Sequence, residues 1–485
     1  MRAKLNTNAP AKMAPTMERN TIRAFFSRAS CLILFIIEAK TKYVKNAGAR
    51  PETRDHRLRS EVRTKESGEG AICAQQQLLM PMPRMKVSGS IVDKSGPSLY
   101  TRAVRILVLG AGMMGTAAVY DLARSAGVDE IVVADLDFYK AKRIAELGHG
   151  KVRPERLDVQ DVEGTKRLMA GCDSVLSSVD YSYNGLLTKC SIAVGVNMCD
   201  LGGSNNVVRQ QLQLHDQALE RGITAIPDCG LAPGIPSILV SLAAHRMEAI
   251  EDVSIRGGGL PQDPIPPLNY AIVFSPRGLI NEYTEKASIL RDGKIKEVDA
   301  LDGLERITFP GPIGELEAFY TSGGASTLPQ TMRERIANLD YKTVRYAGHC
   351  ELIRAMIQLG MASSESIEVG GVLIRPVDLF SELLSKNLPA NGKDLVLLRV
   401  TVVGTMKGKA CTLVYELTDY YDEKTQLTAM MRTTGFPASI IAQMLASGRI
   451  EPKGVVPQEL SVPPEEFVEE LKKRGIAIRE TESVE

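Results

Sequence analysis

The chain has 485 residues, of which 44% are hydrophobic and 24% charged, and its formal net charge is only +1. This composition is ordinary for a globular protein with a sizeable core, and the balanced charge argues against a nucleic-acid partner. The longest purely apolar run, residues 31–37, is far shorter than the about 20 residues that a membrane-spanning helix needs, so we expect no membrane partner.

The first hundred residues are basic, whereas the rest of the chain is acidic. Residues 1–103 contain 19 lysines and arginines against 8 acidic residues, a balance of +11, so the remainder must carry −10. The segment has little apolar periodicity, and we predict that residues 1–102 form a basic, disordered extension. The alternatives are a start codon assigned too far upstream, a targeting peptide or a basic arm.

The eight cysteines are scattered along the chain, and no Cys-x-x-Cys pair occurs among them. This spacing favours neither a zinc site nor a disulfide framework, so we predict no bound metal. Reduced thiols suit the cytoplasm, which is the predicted location of the protein.

From residue 104 onward, short apolar runs alternate with helical patterns. The runs are predicted strands at 104–109, 131–134, 173–179, 196–200 and 223–228, and the helical patterns lie at 113–125, 184–194 and 206–221. Continuous apolar runs are typical of buried parallel strands, and their alternation with helices predicts a doubly wound parallel sheet. We therefore predict a Rossmann-type domain over residues 103–248.

The pattern changes beyond about residue 250. Two strand-like runs at 395–403 and 410–418 flank a glycine-containing loop, which predicts an antiparallel hairpin. Further strands at 252–257 and 341–346 could join it. We predict a second α+β domain with a mainly antiparallel sheet over 249–427, serving substrate binding and dimerisation. A late helix at 437–446 is expected to return, so that residues 428–485 complete the first domain.

A dinucleotide-binding pattern stands at the first predicted strand–helix junction, where residues 110–115 read Gly-Ala-Gly-Met-Met-Gly. The G-x-G-x-x-G pattern is weak alone, but this one follows a strand and opens a helix, as the chemistry requires. Gly110 allows the tight turn, Gly112 lets the backbone approach a diphosphate, and Gly115 permits close helix–sheet packing. Met113 and Met114 lie between these glycines and are expected to contact the cofactor.

Asp135 ends the second predicted strand, 25 positions after Gly110, where a carboxylate can bind the ribose hydroxyls of the cofactor. Its charge would repel a 2′-phosphate, so NAD is predicted over NADP. The cations at 140–143 leave NADP open. Asp158 is predicted to lie near the adenine, and a solvated turn is the alternative.

In an open parallel sheet the ligand lies beyond the carboxyl ends of the strands. Side chains at the predicted strand ends are therefore candidate site residues, namely Ser178, Val179, Tyr181, Tyr183, Asp200 and Asp228. Ser178 and Val179 should border the nicotinamide. For the two tyrosines, packing beneath the cofactor is the alternative to contact with substrate.

The second domain supplies three further candidates. His349 follows a strand that ends in a glycine turn, and a histidine there could relay a proton near neutral pH. Arg345 could hold a substrate carboxylate through two hydrogen bonds, or form a structural ion pair instead. Thr321 begins a glycine-rich stretch that either lines the pocket or is a plain loop.

Five stretches of the sequence together resemble the saccharopine dehydrogenase family. They are the Gly110-Ala111-Gly112 start and residues 196–203, 227–234, 321–324 and 341–349. The resemblance runs from about residue 104 to near 480 and is greatest to the lysine 6-dehydrogenase branch. Ala232 stands in Gly-Leu-x-Pro-Gly where saccharopine reductases tend to have an acid, and the 383-residue core over 103–485 lacks their added helical region.

The resemblance implies oxidation of the ε-amine of L-lysine by NAD⁺ and water, giving 2-aminoadipate 6-semialdehyde, ammonia and NADH, with later cyclisation to a piperideine carboxylate. It implies a small amino acid as the substrate, and we expect a homodimer. We assign catalysis to Tyr181, His349 and Asp228, and substrate binding to Tyr183, Asp200, Arg345 and Thr321. Two alternatives stay open, which are a saccharopine reductase or related enzyme and a non-catalytic NAD-sensing protein.

Overall fold

The computed structural model describes residues 103–148, 150–311, 313–390 and 392–484. The prediction of a disordered extension over 1–102 lies outside these residues. Within the described part, the observed elements follow the predicted alternation closely in the first half and depart from it in the second.

The first half of the described chain alternates strands with helices. Its strands are β1 (Arg105–Leu109), β2 (Glu130–Asp135), β3 (Val152–Arg156), β4 (Ser174–Ser177), β5 (Asn197–Asp200) and β6 (Thr224–Ile226). Its helices are α1 (Met113–Arg124), α2 (Phe138–Ala145), α3 (Val162–Met169), α4 (Asn184–Val194), α5 (Asn205–Leu212), α6 (His215–Glu220) and α7 (Ile235–Arg246). The single helix predicted over 206–221 is therefore two helices, α5 and α6.

The second half is built mainly of longer strands. These are β7 (Ala249–Pro261), β8 (Ala287–Arg291), β9 (Lys294–Val298), β10 (Glu305–Thr308), β11 (Glu315–Tyr320), β12 (Ile336–Tyr346), β13 (Ile367–Val369), β14 (Val372–Ile374), β15 (Asp394–Met406) and β16 (Lys409–Tyr420). Its helices are α8 (Pro276–Thr284), α9 (Leu328–Thr331), α10 (His349–Gln358) and α11 (Pro376–Asn387). The C-terminal part adds α12 (Ala429–Ala446), β17 (Gly454–Val455), α13 (Gln458–Ser461), α14 (Pro464–Lys473) and β18 (Ile478–Val484).

The first sheet has seven strands in the order β17-β6-β5-β4-β1-β2-β3. All its pairs are parallel. The chain winds outward from β1 in one direction and then from β4 in the other, so the order reverses between these two strands. The ends of β1 and β4 thus flank the crevice in which doubly wound sheets bind ligands. The predicted Rossmann fold is confirmed.

The second sheet has nine strands, and its main path runs β10-β11-β12-β7-β15-β16-β18. Only the β12–β7 pair is parallel, so the predicted mainly antiparallel sheet is also confirmed. The predicted hairpin is β15–β16, whose pairing runs from Leu395 opposite Tyr420 to Met406 opposite Lys409. Buried and partly exposed residues alternate along β16, as expected for a strand with one face on a core.

Helix α12 joins the C-terminal part of the chain to the first sheet. A Cβ on Gly435 would lie 2.7 Å from the Cβ of Ala117, so the glycine lets α12 approach α1 closely. The hydroxyl of Ser439 donates to the buried Asp121 carboxylate at 2.6 Å. The last strand, β18, pairs with β16 of the second sheet instead. The domain boundaries given above stay predictions.

The helix predicted at 437–446 begins eight residues earlier, at Ala429. Proline is favoured at helix starts, which is why the pattern placed the start at Pro437. The true start is capped by Thr428, whose hydroxyl oxygen accepts the Met431 N–H at 3.1 Å. Pro437 lies inside the helix and is buried, so packing compensates for its missing hydrogen bond.

Candidate active site

A cavity of about 520 Å³ lies between the carboxyl ends of the parallel strands and the second sheet. The first half of the chain lines it with residues 112–114, 178–181, 201–205 and 230–233. The other half lines it with Gly258, Gly259, Phe274, Ser275, Gly278, Glu282, Glu285, Ser322, Gly323, Tyr341, Thr343 and Arg345, and then Met430 and Thr434. The cavity thus meets the predicted dinucleotide loop at one end and the second domain at the other.

The glycine loop has the shape that a dinucleotide requires. A Cβ on Gly115 would lie 2.0 Å from the Gly110 carbonyl oxygen, so only glycine lets the helix start pack against the loop. At Gly112 a Cβ would meet nothing within 4 Å, so the space above the start of α1 is open. Gly112 is also the N-cap of α1 and offers no side chain to its first N–H groups. These free donors and the helix dipole fit a diphosphate.

Asp135 fastens this loop to the end of β2. Its carboxylate accepts the Ala111 N–H at 2.7 Å through one oxygen and the Asp137 N–H at 2.8 Å through the other. Each carboxylate oxygen keeps a second lone pair, so Asp135 can still accept a ribose hydroxyl. Asp158 is exposed and accepts the Gln160 N–H at 3.0 Å, which is a local turn contact. Its predicted position near the adenine stays a prediction.

The segment after β4 brings three of the predicted residues to the cavity wall, namely Ser178, Val179 and Tyr181. The Ser178 hydroxyl donates to the Leu109 carbonyl at 2.9 Å and holds the ends of β4 and β1 together. Tyr181 lies against Gly203, and its hydroxyl accepts a hydrogen bond from the Asn281 side chain. Tyr183 does not line the cavity and packs against a buried apolar cluster instead, and its assignment to substrate binding stays a prediction.

Asp200 and Asp228 lie behind the cavity wall, with 1% and 2% of their surfaces exposed. Asp200 accepts the Gly202 N–H at 2.8 Å and the Gln211 amide at 2.7 Å, while Asp228 accepts a hydrogen bond from Ser326. A Cβ on Gly202 would lie 1.7 Å from an Asp228 oxygen, so these acids support the wall from behind. Neither lines the cavity, which argues against direct contact with a substrate, and their roles in catalysis and substrate binding stay predictions.

Burial raises the pKa of Asp228 to about 8, and the charges of Asp200 and Glu459 add to this effect. Such a carboxyl is mostly protonated at neutral pH, so Asp228 and Asp200 need not both carry a buried negative charge. Thr321 is also buried outside the main cavity, and its neighbours Ser322 and Gly323 line the wall in its place.

His349 is not placed to exchange protons with a substrate. It is 2% exposed, does not line the cavity, and has both ring nitrogens engaged. Nδ1 lies 2.9 Å from the Leu268 carbonyl, which can only accept, so Nδ1 carries the proton. Nε2 therefore accepts from the Tyr283 hydroxyl at 3.0 Å. Burial and the nearby Arg345 charge lower the pKa of His349 to about 3, so it is neutral. This environment argues against the acid–base role, which stays a prediction.

Arg345 does line the cavity, although only 3% of its side chain is exposed. Its Nε donates to Tyr283 at 3.0 Å and its Nη1 to the Val344 carbonyl at 2.9 Å. The hydrogen bonds thus form a chain with one donor direction. Arg345 donates to Tyr283, Tyr283 donates to His349, and His349 donates to the Leu268 carbonyl. Nη2 lies 3.7 Å from a Glu282 oxygen, which is an ion pair without a hydrogen bond. The guanidinium can therefore present free N–H groups to a substrate carboxylate.

Glu282 was missed by sequence reasoning. It lies near the end of α8 and lines the cavity beside Arg345. In the sequence it stands in a short polar segment, Asn281 to Glu285, that looks like a solvated helix face. No local pattern marks it, since its position depends on how α8 packs against β12.

Replacing His349 by phenylalanine tests this arrangement. Phenylalanine keeps the stacking on Phe319, whose ring lies 6.4 Å from that of His349, but leaves the Tyr283 hydroxyl without its acceptor. We expect KM for the amino-acid substrate to rise about 10-fold, since a lost hydrogen bond to a buried group costs about 1–3 kcal/mol, while the pH profile of turnover keeps its shape. A turnover rate that falls about 10²-fold and loses a pH limb would restore His349 as the acid–base group.

The described residues contain neither a candidate membrane-spanning helix nor a candidate metal site. No helix within 103–148, 150–311, 313–390 or 392–484 is long and apolar enough to cross a membrane. Across the same ranges, no group of three or more His, Cys, Asp or Glu side chains is arranged to hold a metal ion.

Comparison with known families gives two matches that together cover most of the described chain. Residues 106–226 match the family described as "Saccharopine dehydrogenase NADP binding domain". Residues 230–476 match the family described as "Saccharopine dehydrogenase C-terminal domain". The first match covers the glycine loop and Asp135, and the second covers Glu282 and Arg345.

Curated relatives are distant. The chain is 26% identical over 275 residues to a saccharopine dehydrogenase (NADP⁺, L-glutamate-forming) of Pyricularia oryzae, covering 54% of this chain and 58% of that protein. It is 24% identical to the mitochondrial alpha-aminoadipic semialdehyde synthase of Bos taurus, covering 77% of this chain and 47% of that one. It is 23% identical to carboxynorspermidine synthase of Vibrio cholerae, and that match covers 76% of this chain and 95% of the Vibrio protein.

The chain thus spans little more than half the length of the fungal relative and less than half of the bovine one. Among solved structures, it resembles apo saccharopine dehydrogenase (L-Glu forming) from Saccharomyces cerevisiae, with a TM-score of 0.65 at 20% identity. That likeness covers 79% of this chain and all of the other, and it shows a shared fold.

Proposed function

This chain belongs to the saccharopine dehydrogenase family, and on that basis we propose that it oxidises the side-chain carbon–nitrogen bond of an amino acid with a pyridine dinucleotide, in a reaction of the saccharopine dehydrogenase type. As a member of this family, it is an oxidoreductase with an NAD(P)-binding domain. The finer proposal concerns the bond that is oxidised, and it is supported by the names of the fungal relatives and by one feature of the cavity.

That feature is the single cavity that joins the glycine loop to a buried guanidinium. Gly112 and Met113 line one end and Arg345 the other, so a dinucleotide and a carboxylate-bearing substrate could share it. When bound, the dinucleotide supplies the hydride acceptor. Arg345 would orient the substrate by its carboxylate, while Tyr181 and Phe274 help to exclude water.

A second candidate is oxidative deamination of the ε-amine of L-lysine. Saccharopine carries three carboxylates, whereas one guanidinium lines the described cavity, beside three carboxyl side chains, Asp180, Glu282 and Glu285. Such a wall favours a substrate with one carboxylate and two amines. Ala232 also favours this candidate, for a separate reason: saccharopine reductases tend to have an acid at this position of the Gly-Leu-x-Pro-Gly turn.

The two candidates are distinguished by their products. Purified protein should reduce the dinucleotide with saccharopine and release L-glutamate, or do so with L-lysine and release ammonia. Dinucleotide absorbance gives the rate, and amino-acid analysis with an ammonia assay gives the product. Tight dinucleotide binding without turnover of either compound, or of a wider panel of amines, would leave the non-catalytic NAD-sensing alternative.

We propose NAD as the preferred cofactor because Asp135 places a negative charge at the end of β2. The relatives named for NADP⁺ make this a direct question. We expect NAD to bind at least 10-fold more tightly than NADP, and Asp135→Asn to narrow that difference, as measured by fluorescence titration. Asp216→Asn, a change in an exposed acid of helix α6 that does not line the cavity, is the comparison variant. Tighter NADP binding by the unaltered protein would reverse the assignment.

We also propose that the protein forms a homodimer through residues 249–427. We further propose that it is located in the cytoplasm. Sedimentation equilibrium of the full chain tests the first proposal. A mass of one chain across the micromolar range would contradict it.

A further inference from the structure

The oxidation proposed above needs a group that takes a proton from the substrate. An amine is protonated in water up to about pH 10, and only the neutral amine has the lone pair that hydride transfer requires. The cavity wall offers five side chains that could accept a proton, namely Asp180, Tyr181, Glu282, Glu285 and Tyr341.

Three of the five are poorly suited. Asp180 is exposed and its carboxylate accepts two hydrogen bonds from Ser182, at 3.0 Å from the backbone and 2.6 Å from the hydroxyl. The Tyr341 hydroxyl donates to the Gly257 carbonyl at 3.3 Å, and burial raises its pKa far above the ordinary value. Burial likewise raises the pKa of Tyr181, whose hydroxyl is already bonded to Asn281. Both phenols therefore hold their protons at neutral pH.

Glu282 differs from these groups in its contacts. About 30% of its side chain is exposed, it lines the cavity, and its carboxyl makes no hydrogen bond to any described residue. Among the described residues, Arg345 is the one oppositely charged side chain that pairs with it, at 3.7 Å. The chain from Arg345 through Tyr283 to His349 fixes that neighbour in place. A substrate whose carboxylate binds Arg345 would thus bring its amine into the same part of the cavity as Glu282.

We propose that Glu282 is the base that takes the proton from the substrate's side-chain ammonium before hydride transfer. This assignment rests on the proposed function. In the step, an N–H bond of the ammonium breaks, its electron pair stays on nitrogen, and the proton forms an O–H bond on the Glu282 carboxylate. The nitrogen lone pair then forms the C=N bond as the C–H bond breaks, and the C–H electron pair leaves with the hydrogen to the oxidised dinucleotide.

The electrostatics of the site agree with this role. Burial raises the pKa of Glu282 to about 7, although the Arg345 charge acts in the opposite direction. At pH 7 about half of the carboxyl is therefore deprotonated, which is where a base works best. Glu285 lies three residues later and is also partly buried, but the charge that lowers its pKa is that of Arg209, not that of Arg345.

Glu282→Gln tests the assignment because it keeps the size of the side chain and removes its basicity. In the unaltered protein, kcat/KM for the amine should rise with pH through about 7 and then level off. In Glu282→Gln, turnover at pH 7 should fall by about 10²-fold or more. The rise of kcat/KM with pH near 7, which is the acidic limb of the pH profile, should vanish. Activity should recover as pH approaches the pKa of the substrate amine, because free amine then needs no base. A loss that does not recover at high pH overturns the proposal.

Two further variants make the result specific. Glu282→Asp, which keeps a carboxyl, should retain the limb at a lower rate. Glu285→Gln should also retain the limb, whatever its effect on KM. If Glu285→Gln loses the limb and Glu282→Gln keeps it, the base is Glu285 and the proposal is wrong.

A binding measurement gives a readout that does not depend on turnover. Calorimetry of the amino acid binding to the complex with reduced dinucleotide, in two buffers of different ionisation enthalpy, counts the protons exchanged. At pH 7 the unaltered protein should release up to about half a proton, since the bound ammonium favours ionised Glu282, and Glu282→Gln should release none. Equal proton release by both proteins overturns the proposal. Absence of turnover and of amino-acid binding in the unaltered protein would instead count against the proposed function.

Discussion

Replacing Arg345 by methionine is expected to raise KM for the amino-acid substrate by about 10²-fold or more, because a buried, hydrogen-bonded charge partner contributes about 2–5 kcal/mol. The side chain is 3% exposed and is held by Tyr283 and the Val344 carbonyl, so its geometry is fixed before any substrate arrives. Methionine fills much of the same volume but offers no N–H groups. Steady-state kinetics with the best substrate measures the change.

Arg345→Lys and dinucleotide binding are the controls for this prediction. Lysine keeps the charge but not the planar fork, so an intermediate rise in KM is expected. Dinucleotide affinity should stay within about threefold of the unaltered value in both variants, because the glycine loop lies at the other end of the cavity. Near-normal KM in Arg345→Met, with the fold intact by circular dichroism, would show that Arg345 serves only the ion pair with Glu282.

Replacing Gly115 by alanine is expected to weaken binding of both NAD and NADP by about 10²-fold or more. The added Cβ would lie 2.0 Å from the Gly110 carbonyl oxygen and 2.8 Å from the Ser178 hydroxyl, so the backbone of the loop must move. The free N–H groups at the start of α1 would then no longer converge on the diphosphate. Fluorescence titration of each dinucleotide measures the loss.

Gly127→Ala is the matched control, because its Cβ would meet nothing closer than the Ser125 hydroxyl at 3.8 Å. It should bind both dinucleotides as the unaltered protein does. If Gly115→Ala also binds them normally, with the same thermal stability as Gly127→Ala, the dinucleotide does not lie over this loop.

The first domain could be predicted well because its signals are local. Buried parallel strands appear as continuous apolar runs, and the glycines of 110–115 are required by the backbone itself, as the contact of Gly115 shows. The predicted helix at 184–194 agrees residue for residue with α4. The second domain was less readable. Helix α8 is only nine residues long and has a glycine in its first turn, which weakens the local helix pattern, yet it positions both Glu282 and Tyr283.

The candidate site was predicted only where a residue's role follows from its place at a strand end. Ser178 and Tyr181 reach the cavity for that reason, as does Arg345 from its strand. Asp228 and His349 looked equally suitable in sequence, but whether a side chain faces the cavity or the core is decided by tertiary packing. Glu282 shows the converse, since a residue in a plain polar segment becomes a carboxyl of the described cavity wall that lies beside Arg345.

We expect this chain to move hydride from the nitrogen-bearing side-chain carbon of an amino acid to a pyridine dinucleotide. Saccharopine and L-lysine, each deuterated on the lysine side-chain carbon next to nitrogen, test this transfer when they are incubated with oxidised dinucleotide and the products are analysed by mass spectrometry. The reduced dinucleotide should gain one deuterium per molecule from at least one of the two compounds. Reduced dinucleotide without label, or no reduction with either compound while the dinucleotide binds tightly, would contradict it.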